Sequence, residues 1–128
     1  MAEENKGLGD LICTYDTAAD EAMGKRESHT PRIEAPDVVK ADEAFEIKVS
    51  VGPHPNKVEH SIRWIEVYFR EEGRDFNPLV LARVAFTPAY SEPKVALWLN
   101  LRKSGTIFAL QYCNVHGLWS AEKDVGVE

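Results

Sequence analysis

In Phe45-Glu-Ile-Lys-Val-Ser-Val51 every second residue is apolar and those between are polar or charged, the period-two signature of a strand with one buried face. Comparable runs follow at Ile62–Phe69, Leu79–Phe86, Val95–Leu101 and Thr106–Tyr112, and Gly, Pro, Asn or Asp clusters separate several of them as turn residues do between strands. A leading strand near Arg32–Asp37 and a short final one bring the expected count to about seven, which suits an all-β, antiparallel sandwich of two sheets.

Residues 1–28 break this pattern, being rich in Ala, Glu, Asp and Gly and poor in β-branched residues. Thr17-Ala-Ala-Asp20 has the form of a capping box and Gly24 offers a stop, which predicts one short helix near 17–23. The expected organisation is therefore an N-terminal extension over 1–26 and a single β domain over 27–128, with no internal repeat or low-complexity tract.

Strand order carries the first hint of chemistry. If consecutive strands run antiparallel, the start of the first, the end of the second and the start of the third share one end of the sandwich. His29, His54 and His60 then lie at that end, and the strand Thr106–Tyr112 finishes there too, delivering Cys113 and His116. These are all four histidines of the chain and one of its two cysteines, and imidazole and thiolate are the ligands that transition metals favour. Taken singly, each fragment is weak: a lone loop histidine is usually solvated, and Cys-x-x-His arises by chance. Together they point to one metal.

Composition narrows the partners. Fifteen basic against twenty-one acidic residues give a net charge of −6, which disfavours nucleic acid or an anionic membrane as the main partner. No run approaches the roughly 18 apolar residues of a membrane span, and acids precede any apolar stretch, so a cytoplasmic location is expected. Cys13 is left as a free thiol.

The residues around the histidines then resemble a known family. Glu27-Ser28-His29-Thr30-Pro31, His54-Pro-Asn, Glu59-His60-Ser-Ile and the closing Tyr112-Cys-Asn-Val-His-Gly-Leu-Trp-Ser120 closely resemble superoxide reductase of the neelaredoxin and desulfoferrodoxin type, over Glu27 to Ser120. The resemblance implies an immunoglobulin-like sandwich and a mononuclear non-haem iron, with His29, His54, His60 and His116 in the equatorial plane and Cys113 on the axis. It implies reduction of superoxide to hydrogen peroxide, with the iron re-reduced by an external donor such as rubredoxin. Desulfoferrodoxin members carry a further N-terminal iron bound by four cysteines, which Cys13 alone cannot build. Glu27 matches the family glutamate that occupies the sixth position of oxidised iron and leaves on reduction.

One departure stands out. The family pattern is Glu-Lys-His-x-Pro, and here Ser28 replaces the lysine that attracts superoxide. Lys57, between His54 and His60, is the first choice to restore positive potential, with Lys25 or Arg26 behind it. Backbone amides of Asn114 to Gly117 are expected to tune the thiolate. Two other readings are weaker: a cupredoxin-like electron carrier, which would usually place a methionine after His116 where this chain has none, and a binding module with structural zinc, which would leave a fifth donor unemployed. Trp98 and Leu99 cannot face the same side of one strand, so an apolar second face is expected, consistent with a homo-oligomer, a dimer or tetramer.

Overall fold

The computed structural model describes residues 6–18 and 20–128. Among these residues eight strands form two sheets. β1 (Arg32–Glu34), β3 (Phe45–Ser50) and β6 (Lys94–Leu99) make the smaller one in the order β1-β3-β6. β2 (Val38–Val39), β4 (Ile62–Glu71), β5 (Leu79–Ala85), β7 (Gly105–Cys113) and β8 (Gly117–Val127) make the larger one in the order β2-β8-β7-β4-β5. The alternation in the sequence is the cause: in β3 Ile47 and Val49 are buried while Glu46 and Lys48 are exposed, and these residues join Ile65, Val67, Phe69, Ile107, Ala109 and Val125 in one core between the sheets.

The count exceeds the expected seven because the leading segment divides. β1 pairs with β3, whereas β2 lies parallel to β8 in the other sheet; Pro36, which has no N–H for a ladder, sits at the crossing. The final strand is also longer than expected. β8 runs for 11 residues, its charged outer positions Glu122 and Asp124 having hidden its regularity.

The pairings put both strand ends that matter at one pole. Ile62, at the start of β4, faces Cys113, at the end of β7, and Arg32, at the start of β1, faces Ser50, at the end of β3. A bulge falls between Ile62 and Trp64, so Ile62 and Ile65, three residues apart, are both buried. The extra residue bends β4 beside Cys113.

Of the expected helix over 17–23, residue 19 lies outside the described residues, and among the described ones the helical turn begins later, at Asp20. Thr17 N–H is taken by Thr14 Oγ1 at 3.1 Å, which makes a local turn in place of a helix cap. A 3-10 helix over Asp20–Lys25 runs through Gly24 into α2 (Arg26–His29), after an earlier α1 (Leu8–Leu11). Trp98 is exposed and Leu99 buried, as their alternation requires.

Candidate metal centre

Each of the five residues is delivered by a structured piece of chain. His29 ends α2 and is buried, and the buried Gln111 of β7 donates from Nε2 to the His29 carbonyl at 2.8 Å. His60 closes a tight turn with Lys57, each N–H bonding the other's carbonyl at 2.9 and 3.1 Å. Cys113 and Gly117 pair across the β7–β8 hairpin. His116 sits in the loop between them, and Gly117 supplies the positive φ of 80° that closes it. Asn114 joins this loop to the His60 turn: its Oδ1 accepts from Ser61 N–H and its Nδ2 donates to Glu59 O, both at 2.9 Å.

One donor atom from each of His29, His54, His60, Cys113 and His116 lies within 4.8 Å of every other. The four rings form a closed circuit, with centroid separations of 4.6 Å (His29–His54), 4.8 Å (His54–His60), 5.2 Å (His60–His116) and 4.9 Å (His116–His29). Neighbouring rings meet edge-on. Cys113 Sγ lies 3.4 Å from His54 Nε2 and 3.7 Å from His116 Nδ1, and it accepts the His116 backbone N–H at 3.3 Å. The expected amide contact to the thiolate is thus made by His116; the Asn114 N–H points instead to Ser61 O at 3.4 Å.

The hydrogen bonds behind the rings show that these residues fit a metal ion. His29 Nδ1 donates to the Lys25 carbonyl at 3.0 Å, and His54 Nδ1 donates to the Pro55 carbonyl at 2.7 Å. Both Nε2 atoms are therefore bare lone pairs, yet they face each other at 3.2 Å with no proton to share. His60 Nε2 is buried without a partner. Protonation would relieve this crowding, but burial opposes it: desolvation, reinforced by the neighbouring rings, lowers the His29 pKa to about 4. Burial also lowers His54 and His116, and in both the Lys25 charge adds to the shift. A cation held at the centre satisfies every one of these atoms.

The comparisons with known proteins agree with the geometry. A family model described as Desulfoferrodoxin matches residues 21–122. The chain is 43% identical over 104 residues to a superoxide reductase of Pyrococcus abyssi, covering 77% of this chain and 87% of that protein. It is 38% identical over 119 residues to a neelaredoxin of Megalodesulfovibrio gigas, covering 81% and 91%. The solved structure of a superoxide reductase (neelaredoxin) from Ignicoccus hospitalis superposes with a TM-score of 0.90 at 60% identity, covering 96% of this chain and 100% of that one. The chain belongs to the desulfoferrodoxin family.

Within this desulfoferrodoxin-family fold the two remaining predicted site residues are not among the five donors. Glu27 is exposed, and its Oε1 accepts a hydrogen bond from the Tyr15 hydroxyl at 2.5 Å. Lys57 is exposed, tied to the site through its backbone pairing with His60. The Ser28 hydroxyl, at the position of the family lysine, donates to the Lys25 carbonyl at 3.1 Å. Cys13 is a free thiol, half-buried, whose backbone bridges to Trp119 of β8.

Sequence reasoning missed the supporting residues. Gln111 had a visible signal, a polar residue at an inward position of an apolar strand. Trp119 is fully buried, its Nε1 donates to the His116 carbonyl at 3.1 Å, and its ring lies 5.3 Å from that of His29. Tyr15 had no signal, because its partner is twelve residues away in an irregular segment.

Proposed function

We propose that this chain reduces superoxide to hydrogen peroxide at a single iron that His29, His54, His60, His116 and Cys113 would hold. The observation that carries the reading is the closed circuit of four imidazoles around one thiolate, in a chain of this family. Five donors exceed the four of structural zinc. Bound iron supplies the single electron that superoxide takes up, two protons completing hydrogen peroxide, and an external rubredoxin-like donor returns the electron.

The protein's own groups prepare this site. The Nδ1 bonds of His29 and His54 fix both tautomers, so neutral rings meet the metal without first losing a proton. The His116 N–H on Cys113 Sγ draws charge from the thiolate and thereby limits its donation. Glu27, two residues before His29, is the carboxylate we assign as a reversible ligand of the oxidised centre. Lys25 is the cation whose charge acts on His54 and His116, so we assign it the attraction of superoxide that Ser28 cannot supply, with Lys57 an outer contributor. Residues 27–128 form the working domain. No helix among the described residues is long and apolar enough to cross a membrane; we assign the chain a cytoplasmic location, and the exposed Trp98 face suits association of copies.

The test is metal analysis with a visible spectrum of purified protein before and after superoxide. About one iron per chain is expected, with a sulfur-to-iron absorption that bleaches on reduction and returns with superoxide, hydrogen peroxide appearing and no dioxygen. A zinc-filled, colourless protein purified from iron-replete cells overturns the reading.

A further inference from the structure

We propose that Tyr15 is a positioning residue that latches Glu27 away from the metal, so that the segment preceding the β domain sets how readily the carboxylate binds the oxidised centre. The inference rests on the reading of Glu27 as a reversible ligand. Its basis in the structure is the contact itself: Tyr15 donates to Glu27 Oε1 at 2.5 Å, and the Glu27 carboxylate is absent from the donor group formed by the five metal-site residues.

Tyr15 is anchored where a latch must be. Cys13 N–H bonds Leu118 O at 3.1 Å and Ser120 N–H bonds Cys13 O at 2.9 Å, so the segment lies along β8, on the same hairpin that carries Cys113 and His116. The turn from Thr14 to Thr17 follows at once. The Arg26 guanidinium covers the Tyr15 ring at 4.5 Å from its centroid and holds the ring beside Glu27 by cation–π attraction. Glu27, for its part, lies in α2 between Arg26 and His29, so its backbone is fixed by the same turn that fixes a ligand.

The two positions compete for one carboxylate. A phenol bound to a carboxylate is a charge-assisted hydrogen bond, and that bond is the main reason the Tyr15 pKa lies above its usual value. The hydroxyl therefore keeps its proton, and so its grip, throughout the neutral range. With iron bound, the carboxylate would have to leave the phenol before it could reach the metal, so the strength of the Tyr15 bond would set how readily it does so.

The experiment compares iron-loaded wild type, Tyr15→Phe, Glu27→Ala and the double variant, reading the oxidised visible spectrum and the reduction potential. Loss of the phenol should favour the carboxylate-bound ferric form roughly threefold to tenfold, the worth of one net hydrogen bond. The potential then falls by about 30 to 60 mV, at 59 mV per tenfold for one electron. In the Glu27→Ala background Tyr15→Phe should change neither reading. An unchanged potential in Tyr15→Phe, with Glu27→Ala still altering the oxidised spectrum, overturns the latch and leaves the ligand reading standing. An oxidised spectrum indifferent to Glu27→Ala removes the ligand reading and the latch with it. A shift in Tyr15→Phe that persists in the double variant also overturns the latch, because the effect then bypasses Glu27.

Discussion

Asn114 clasps the backbone on both sides of His60, accepting from Ser61 N–H and donating to Glu59 O, each at 2.9 Å. One carboxamide thereby fixes the distance between the loop that holds His60 and the loop that holds Cys113 and His116. Asn114→Ala should weaken metal retention about 10- to 100-fold, the usual scale for a group that orients ligands. Loss of two hydrogen bonds should lower stability by about 1–3 kcal/mol. Competition with a chelator and a denaturant titration measure the two effects. Full retention of metal would show that the loops hold their spacing unaided.

Cys113→Ser should abolish the sulfur-to-iron absorption of the oxidised protein, whereas Cys13→Ser should leave it intact. The structure gives the reason: Cys113 Sγ is among the five donors, while Cys13 meets the rest of the protein through its backbone bridge to β8. A spectrum of each variant decides the matter, and a band surviving in Cys113→Ser would refute the axial assignment.

Lys25→Glu should slow the second-order reaction of superoxide with the reduced protein more than Lys57→Glu does. The Lys25 carbonyl accepts from His29 Nδ1, so this residue's backbone adjoins a donor ring, and the substitution reverses the charge it carries. The wild-type rate should also fall with added salt, because screening shortens the reach of a charge to about 8 Å at physiological ionic strength. Stopped-flow rates for the three proteins at low and high salt provide the check. Equal rates for wild type and Lys25→Glu would return the role to Lys57.

The metal-free protein should lose stability as pH falls from about 6.5 toward 4. The folded His29 has a pKa lowered to about 4 by burial, whereas the unfolded chain binds that proton near the ordinary value of about 6.5. Between those values the unfolded state holds more protons, so acid favours unfolding. Denaturant midpoints of metal-free wild type and His29→Gln across this range test it: the variant should show a shallower decline, since it lacks the group that must be kept neutral.

The fold was legible wherever burial alternated cleanly, as in Phe45–Ser50, because one face of such a strand meets the core and the other meets water. The strand from Ile62 was legible despite the bulge at Arg63, whereas β8 was obscured because its charged outer residues mask a regular strand. The five donors were legible because strand polarity alone sends their loops to one pole. The helix was misplaced because Thr14, invisible to a capping rule, takes the Thr17 N–H. Gln111, Asn114 and Tyr15 act across 82, 53 and 12 residues of chain, and contacts that distant are created by the fold.

His29, His54, His60 and His116 occupy the rim of a sandwich whose buried residues, Ile47, Val49, Ile65, Val67, Phe69 and Ile107 among them, lie between the sheets. The order of assembly follows. A domain nucleated by its metal would be a coil until the ion arrived, but here apolar burial alone draws the sheets together. The chain can complete its folding first and hold its ring of donors open to a metal ion, with His29 kept neutral by its burial.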